Sequence, residues 1–243
     1  MLQIAEGKVV SVFRCVCSTL PGRAGKEEYM SVNYHASQSR GVLFSEYETV
    51  CQQWRDEFSG FDPERIRKIL HLDADPDYLY LTYYKVPYRL RLEDGILEKQ
   101  EGDGWTQELY FNESMAVYHL LHFTKDLPVI SGKWVPGHTI DGVVSRNPAV
   151  KDPLLSPFEK RCGGRTEALR AACLAAGGEA VQAGDAAYEF EAFPQVHLRL
   201  VFWDQDEDFP AQVQILVDQC VTDFVHYETV GCMIADLLDQ LDV

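Results

Sequence analysis

From Tyr78 the chain alternates with a period of two. Tyr78, Tyr80, Thr82 and Tyr84 fall on one face and Leu79, Leu81 and Tyr83 on the other, and a second run, Val86, Tyr88, Leu90 and Leu92, alternates with Arg89 and Arg91. Strict alternation marks half-buried strands. The turn sequences Glu93-Asp94-Gly95 and Gly102-Asp103-Gly104 flank a short strand at Ile96–Lys99, so this stretch predicts an antiparallel meander. On either side the apolar spacing becomes helical. Ser45 and Glu48 stand at capping-box spacing ahead of the stripe Tyr47, Cys51, Trp54 and Phe58. Asp62 and Pro63 suit the cap and first position of a second helix, buried through Ile66, Ile69 and Leu70. After the meander, Asn112 is expected to cap a helix faced by Met115, Val117, Leu120 and Leu121 and ending near Lys125 and Asp126, before Pro128.

The stretch Gly132–Pro157 carries Pro136, Pro148, Pro153 and Pro157 with Gly137 and Gly142, and reads as a linker. Beyond it the order repeats. Phe158–Cys162 is a helical turn closed by Gly163 and Gly164, and Thr166 caps a helix with Leu169, Ala172, Cys173 and Ala176 that Gly177 and Gly178 end. Tyr188, Phe190 and Ala192 alternate; Val196, Leu198, Leu200 and Phe202 alternate with His197, Arg199 and Val201; a strand at Val213–Val217 follows. The last helix has the strongest pattern, with Val230, Met233, Ile234, Leu237, Leu238 and Leu241 on one stripe. Val86–Leu92 and Val196–Phe202 hold equivalent places at an offset of 110 residues. The pattern predicts an α+β fold of antiparallel sheets with packed helices, built by internal duplication of a helix, strand-meander, helix unit.

Four regions follow: an N-terminal extension at 1–44, partly flexible, with a strand at Lys8–Cys17 and the run Pro21-Gly22-Arg23-Ala24-Gly25; a first α+β repeat at 45–130; a Pro/Gly-rich linker at 131–157; and a second, acidic repeat at 158–243, packed with the first as one globular unit.

Charge narrows the partners. With 22 basic and 38 acidic residues the chain carries −16, which repels a phosphate backbone and anionic membranes. From Asp185 to Val243 thirteen acidic residues face one basic residue, Arg199, so most of that charge lies in the last quarter. No window holds the roughly 18 consecutive apolar residues of a membrane span. The first residues lack the uninterrupted apolar core of a secretory signal, since Glu6, Lys8 and Arg14 interrupt them, and a cytoplasmic protein is expected. The seven cysteines include no Cys-x-x-Cys pair, and free buried thiols fit them better than a metal site, although Cys15 and Cys17 would share one face of a strand.

The densest charge is Trp203-Asp204-Gln205-Asp206-Glu207-Asp208-Phe209-Pro210, a turn between strands flanked by aromatic residues. Asp204, Asp206 and Asp208 have the first spacings of a calcium loop, but its sixth and twelfth positions would be Phe209 and Ile215, which neither turn the loop nor offer a bidentate carboxylate. Asp218, Asp223, His226 and Glu228 lead into the last helix, where a carboxylate and an imidazole could share a proton or bind a metal, and where Asp223 or Glu228 could equally cap the helix. His119 and His122, three apart on one helix, are spaced to coligate a metal but lack the accompanying Glu motif, so packed or exposed histidines are the simpler reading. Gly184-Asp185 is a turn, and Ser131-Gly132-Lys133-Trp134 sets a cation beside a large aromatic that could anchor a partner or plug the junction between repeats.

The succession Gly132-Lys133-Trp134, Gly177-Gly178, Gly184-Asp185, Trp203-Asp204 with Asp206–Ala211, Ile215–Asp218 and His226-Tyr227-Glu228 resembles the domain-of-unknown-function family 3786, from Ser45 to the C-terminus. The resemblance implies a family found largely in anaerobic bacteria and archaea, some members of which carry a cysteine-rich iron–sulfur segment. This chain departs there, having only Cys15 and Cys17 in its extension, and the resemblance supplies no catalytic residues or cofactor. Two readings follow. One is a non-enzymatic binding or accessory module, monomer or homodimer, that meets a basic protein surface or a small molecule through Lys133, Trp134, Asp185, Trp203, Asp204, Asp206, Glu207, Asp208, Asp218, His226 and Glu228. The other is a hydrolase-type enzyme holding a divalent metal with Asp204, Asp208, Asp218 and His226.

Overall fold

Leu79, Leu81, Tyr83, Tyr88 and Leu90 are buried while their neighbours in the strands Tyr78–Tyr83 and Val86–Arg91 keep contact with solvent, so the alternation in the first half does build a sheet with one inward face. The computed structural model describes residues 11–13, 30–32, 45–58, 61–140, 152 and 154–243. The short strands β1 (Ser11–Phe13) and β2 (Met30–Val32) pair antiparallel, the first inside the stretch expected to be extended. Cys15, Cys17 and the run at 21–25 lie outside the described residues.

The first unit begins with helices α1 (Ser45–Phe58) and α2 (Pro63–Leu70). Asp62 caps α2 by accepting from the Arg65 amide at 3.0 Å, and Pro63 occupies its first turn. There follow β3 (Asp73–Ala74), β4 (Tyr78–Tyr83), β5 (Val86–Arg91), β6 (Leu97–Glu101) and β7 (Gly104–Thr106), an antiparallel sheet in chain order, and helix α3 (Phe111–Phe123). The helix begins at Phe111, ahead of the expected Asn112 cap. The Glu113 carboxylate reaches back to accept from the Tyr110 amide at 2.7 Å, which fixes the start and leaves Asn112 inside the helix. Its burial runs from Asn112 to Leu121 on every side, beyond the single stripe expected.

The stretch read as a linker contains β8 (Trp134–Pro136) and a 3-10 turn at Gly137–Thr139. The second unit comprises α4 (Leu155–Cys162), α5 (Thr166–Ala175), β9 (Glu179–Ala180), β10 (Ala186–Phe193), β11 (Val196–Trp203), β12 (Gln212–Asp218) and α6 (Tyr227–Gln240). Its sheet has the order β8-β12-β11-β10-β9, all antiparallel. Thr166 is the first residue of α5, not its cap, and its hydroxyl is held by Asp204. Helix α5 ends at Ala175, and Gly177, just past its Ala176 cap, has a φ of +79° that would strain any residue with a Cβ.

From α2 and α5 onward both units run helix, two-residue strand, antiparallel meander, helix, with four strands, β4–β7, in the first meander and three, β10–β12, in the second. They meet at matching places. The Tyr84 amide donates to the Ala192 carbonyl at 2.9 Å, Tyr83 stacks on Phe193 with ring centroids 4.9 Å apart, and α3 packs on α6. A single apolar cluster runs through both units, from Ile66 and Leu90 to Leu200 and Leu237. Each fully buried leucine in it contributes about 1.5–3 kcal/mol.

Candidate functional site

The acidic turn between β11 and β12 is built by its own carboxylates. Asp204 Oδ1 accepts from the Gly164 and Gln205 amides, both at 2.7 Å, and its Oδ2 accepts from the Thr166 hydroxyl at 2.6 Å, tying the turn to the start of α5. The Thr166 hydroxyl, then the Gly164 amide, hold the Asp204 carboxyl below the ordinary carboxylate range. Asp206 Oδ1 accepts from the Asp208 and Phe209 amides at 2.8 and 2.7 Å. Asp185 Oδ2 accepts from the Asp204 amide at 2.7 Å. The preceding Gly184 has φ +51°, and a Cβ there would lie 2.4 Å from the Phe202 carbonyl, so this turn requires glycine. With Asp185, Asp204 and Asp206 engaged by amides, what the turn offers to solvent is Glu207 and Asp208, both exposed, with Trp203 41% and Phe209 65% exposed beside them.

At the other end of β12, Asp218 accepts from the amides of Cys220 and Gly132, both at 2.7 Å, from the Ser131 hydroxyl at 2.9 Å and from the Ser131 amide at 3.2 Å. Burial pushes its carboxyl up, but the Cys220 amide, Ser131 and Gly132 together hold it below the ordinary range. Asp223 does not cap α6; it accepts from the Val129 amide at 3.0 Å and pairs with Lys125 at 2.6 Å. The cap is His226, whose Nδ1 accepts from the Glu228 amide at 3.4 Å.

The four residues of the metal reading do not converge. Asp204 lies beside the Trp203↔Gln212 end of β12 and Asp218 at its far end, so about 20 Å of strand separates them at 3.3 Å per residue. Among the described residues no group of three or more His, Cys, Asp or Glu side chains could hold a metal ion. The calcium-like spacing of Asp204, Asp206 and Asp208 is that of an amide-bound turn.

Lys133 is exposed and Trp134 half-buried. Trp134 carries on its face the guanidinium of Arg199, 4.0 Å from the ring centroid. Arg199 donates to Glu189 at 2.7 Å and His197 Nδ1 lies 2.9 Å from the other Glu189 oxygen. The first sheet has a matching cluster. Arg89 lies between Tyr78 and Trp105, 4.1 and 4.4 Å from their centroids, and its Nε donates to Glu98 at 2.6 Å. Arg89 and Arg199 are 110 residues apart, the offset already seen between the strands.

His226 also belongs to a cluster with His119, His122, Trp54, Phe123 and Tyr227. The His119 and His226 ring centroids are 6.1 Å apart, and Trp54 meets His119 and His122 edge-on at 4.8 and 4.9 Å. His119 Nδ1 lies 2.5 Å from the Thr229 hydroxyl. Burial, helped by the neighbouring His226 and His122, pushes the His119 imidazole down to about 3, so it is neutral at pH 7. A hollow of about 220 Å³, its open mouth included, lies above Trp54, Phe58, Phe61, Tyr118 and His122.

The periodicity gave no sign of the polar seam where the units meet. Asp236 of α6 accepts from the Tyr83 hydroxyl at 2.7 Å and from Asn112 Nδ2 at 3.0 Å, and the Tyr84 hydroxyl donates to the Met233 carbonyl at 2.8 Å. Beside it Glu113 accepts from the Tyr88 hydroxyl at 2.6 Å and pairs with Lys99 at 2.9 Å.

A family model described as Domain of unknown function (DUF3786) matches residues 62–238. The chain belongs to this family. The DUF3786 domain thus runs from the cap of α2 into the last turns of α6 and takes in both sheets, the acidic turn and the seam, leaving α1 outside the matched span. No curated protein and no solved structure matches the chain. No helix of the described residues is long and apolar enough to cross a membrane.

Proposed function

We propose that this DUF3786 domain is a non-enzymatic binding or accessory module of the cytoplasm, and that its acidic turn docks a basic protein surface. One observation carries the reading. The turn commits Asp185, Asp204 and Asp206 to its own backbone and presents Glu207 and Asp208 between the exposed rings of Trp203 and Phe209. A rigid loop pays little ordering entropy on association, aromatic side chains are the usual anchors of an interface, and carboxylates at the rim speed encounter with a cationic partner. The net charge of the last quarter favours the same class of partner. Cys162, Cys173, Cys220 and Cys232 are free thiols, which agrees with a reducing compartment.

The test is binding of a panel of Lys/Arg-rich peptides, half of them with interspersed leucines, measured against salt concentration. Affinity should fall as salt rises. Trp203→Ala should weaken binding by about 2 kcal/mol, roughly thirtyfold, and Glu207→Gln with Asp208→Gln should mainly slow association. Equal affinity of wild type and Trp203→Ala for every peptide would remove this reading.

A further inference from the structure

The seam between the units contains two carboxylates, Asp236 and Glu113, and among the described residues one paired cation, Lys99, which is committed to Glu113. Asp236 keeps some solvent contact as a residue, but its carboxylate end is turned inward to Tyr83 and Asn112. These partners belong to β4 and α3 of the first unit, whereas Asp236 belongs to α6 of the second. This one carboxyl therefore joins three elements across the junction. A buried carboxylate without a counter-cation, beside a second carboxylate, is costly, and taking up a proton removes the cost.

We propose that the junction is a proton-operated clasp, in which a proton on Asp236 lets α6 seat on Tyr83 and Asn112 and its loss loosens that seat. The titratable and charged groups facing Asp236 are Tyr83 at the end of β4 and Tyr84 just after it, Tyr88 from β5, Glu113 from α3 with its partner Lys99 from β6, and Cys232 and Asp239 along α6. The three phenols and the thiol stay neutral, since burial raises them all. Glu113 and Asp239 add negative charge that opposes ionisation of Asp236. The two donors, Tyr83 and Asn112, work the other way, and burial outweighs them, carrying the Asp236 carboxyl up to about 7. When the carboxyl holds the proton, its hydrogen bond with Tyr83 can reverse, because a hydroxyl both donates and accepts.

The sign follows from linkage. Between the ordinary Asp value near 3.9 and about 7 the closed junction binds one proton more than the opened one, so stability falls as pH rises through that interval and levels off above it. For a group titrating at about 7, the opening constant rises about tenfold from pH 6 to pH 8. Hydrogen exchange of the full chain, corrected for intrinsic rates, reads this directly. Amides of Cys232–Leu238 should lose about tenfold protection over that interval in wild type and none in Asp236→Asn, which keeps the shape and cannot ionise. Carbon-13 NMR of the wild-type aspartate carboxyls keeps the test valid if the variant folds poorly. A resonance assigned to Asp236 and titrating near 7 supports the clasp, and one titrating below 5, or parallel exchange profiles in the two proteins, overturns it.

Discussion

Five aspartates of the acidic quarter accept hydrogen bonds from backbone amides: Asp185, Asp204, Asp206, Asp218 and Asp223. Charge-assisted bonds of this kind are stronger than neutral ones, and they replace secondary structure where the chain must turn. Asp218 serves three amides and a hydroxyl, so Asp218→Ala should lower stability by about 2 kcal/mol, while Glu207→Ala should change it by no more than ~0.5 kcal/mol. Urea unfolding of the two variants checks this, and equal midpoints would contradict it. Because the folded values of Asp204 and Asp218 lie below the ordinary range, their contribution is complete above about 4 and is lost as pH falls further. The sequence shows where these carboxylates are but not what they bind. Gly164 and Thr166 lie some forty residues from Asp204, and Ser131 and Gly132 nearly ninety from Asp218. Asp236 is harder still to read, since it sits on the polar side of a strong apolar stripe and its partners are 124 and 153 residues away.

Helices α1, α3 and α6 meet through Trp54, His119, His122 and His226, and burial holds all three imidazoles below their ordinary value. An imidazole of this kind stabilises the fold fully above its unfolded value near 6.5, and the contribution is lost as pH falls from there towards the folded value, about 3 for His119. The His119 ring resonance should therefore stay constant down to about pH 4 in the folded protein, and a titration near 6.5 would contradict its burial. This window and direction differ from those of Asp236, so the two effects separate on a pH profile. Elements with strong periodicity, such as β4, β5, β10, β11 and α6, are legible in the sequence to within a residue or two. The two-residue strands β3 and β9 are too short to have a period, β7 holds three residues, and β8 lies in a Pro-rich stretch that reads as linker. The start of α3 depends on Glu113 bonding back to Tyr110, which a search for a cap ahead of the apolar run passes over.

Among the described residues the two sheets and their helices meet through elements in like positions, β4 with β10 and α3 with α6. Arg89 and Arg199 recur at the same offset as their strands, each stacked on a tryptophan and bound to a glutamate. Duplication followed by docking about a twofold axis would leave this arrangement. Superposing α2–α3 on α5–α6 in an experimental structure should then bring the two arginines together. Charge is not shared equally: it gathers in the second unit, where the turn between β11 and β12 projects Trp203 and Phe209 beside two unengaged carboxylates. The most direct test of the binding role is an amide NMR footprint of the full chain titrated with a Lys/Arg-rich peptide at low salt. The expected footprint covers Trp203–Phe209 with Gly163 and Gly164 and disappears in Trp203→Ala. Perturbations confined to the Trp54 hollow or to the Arg199–Trp134 face, with the turn silent, would contradict it.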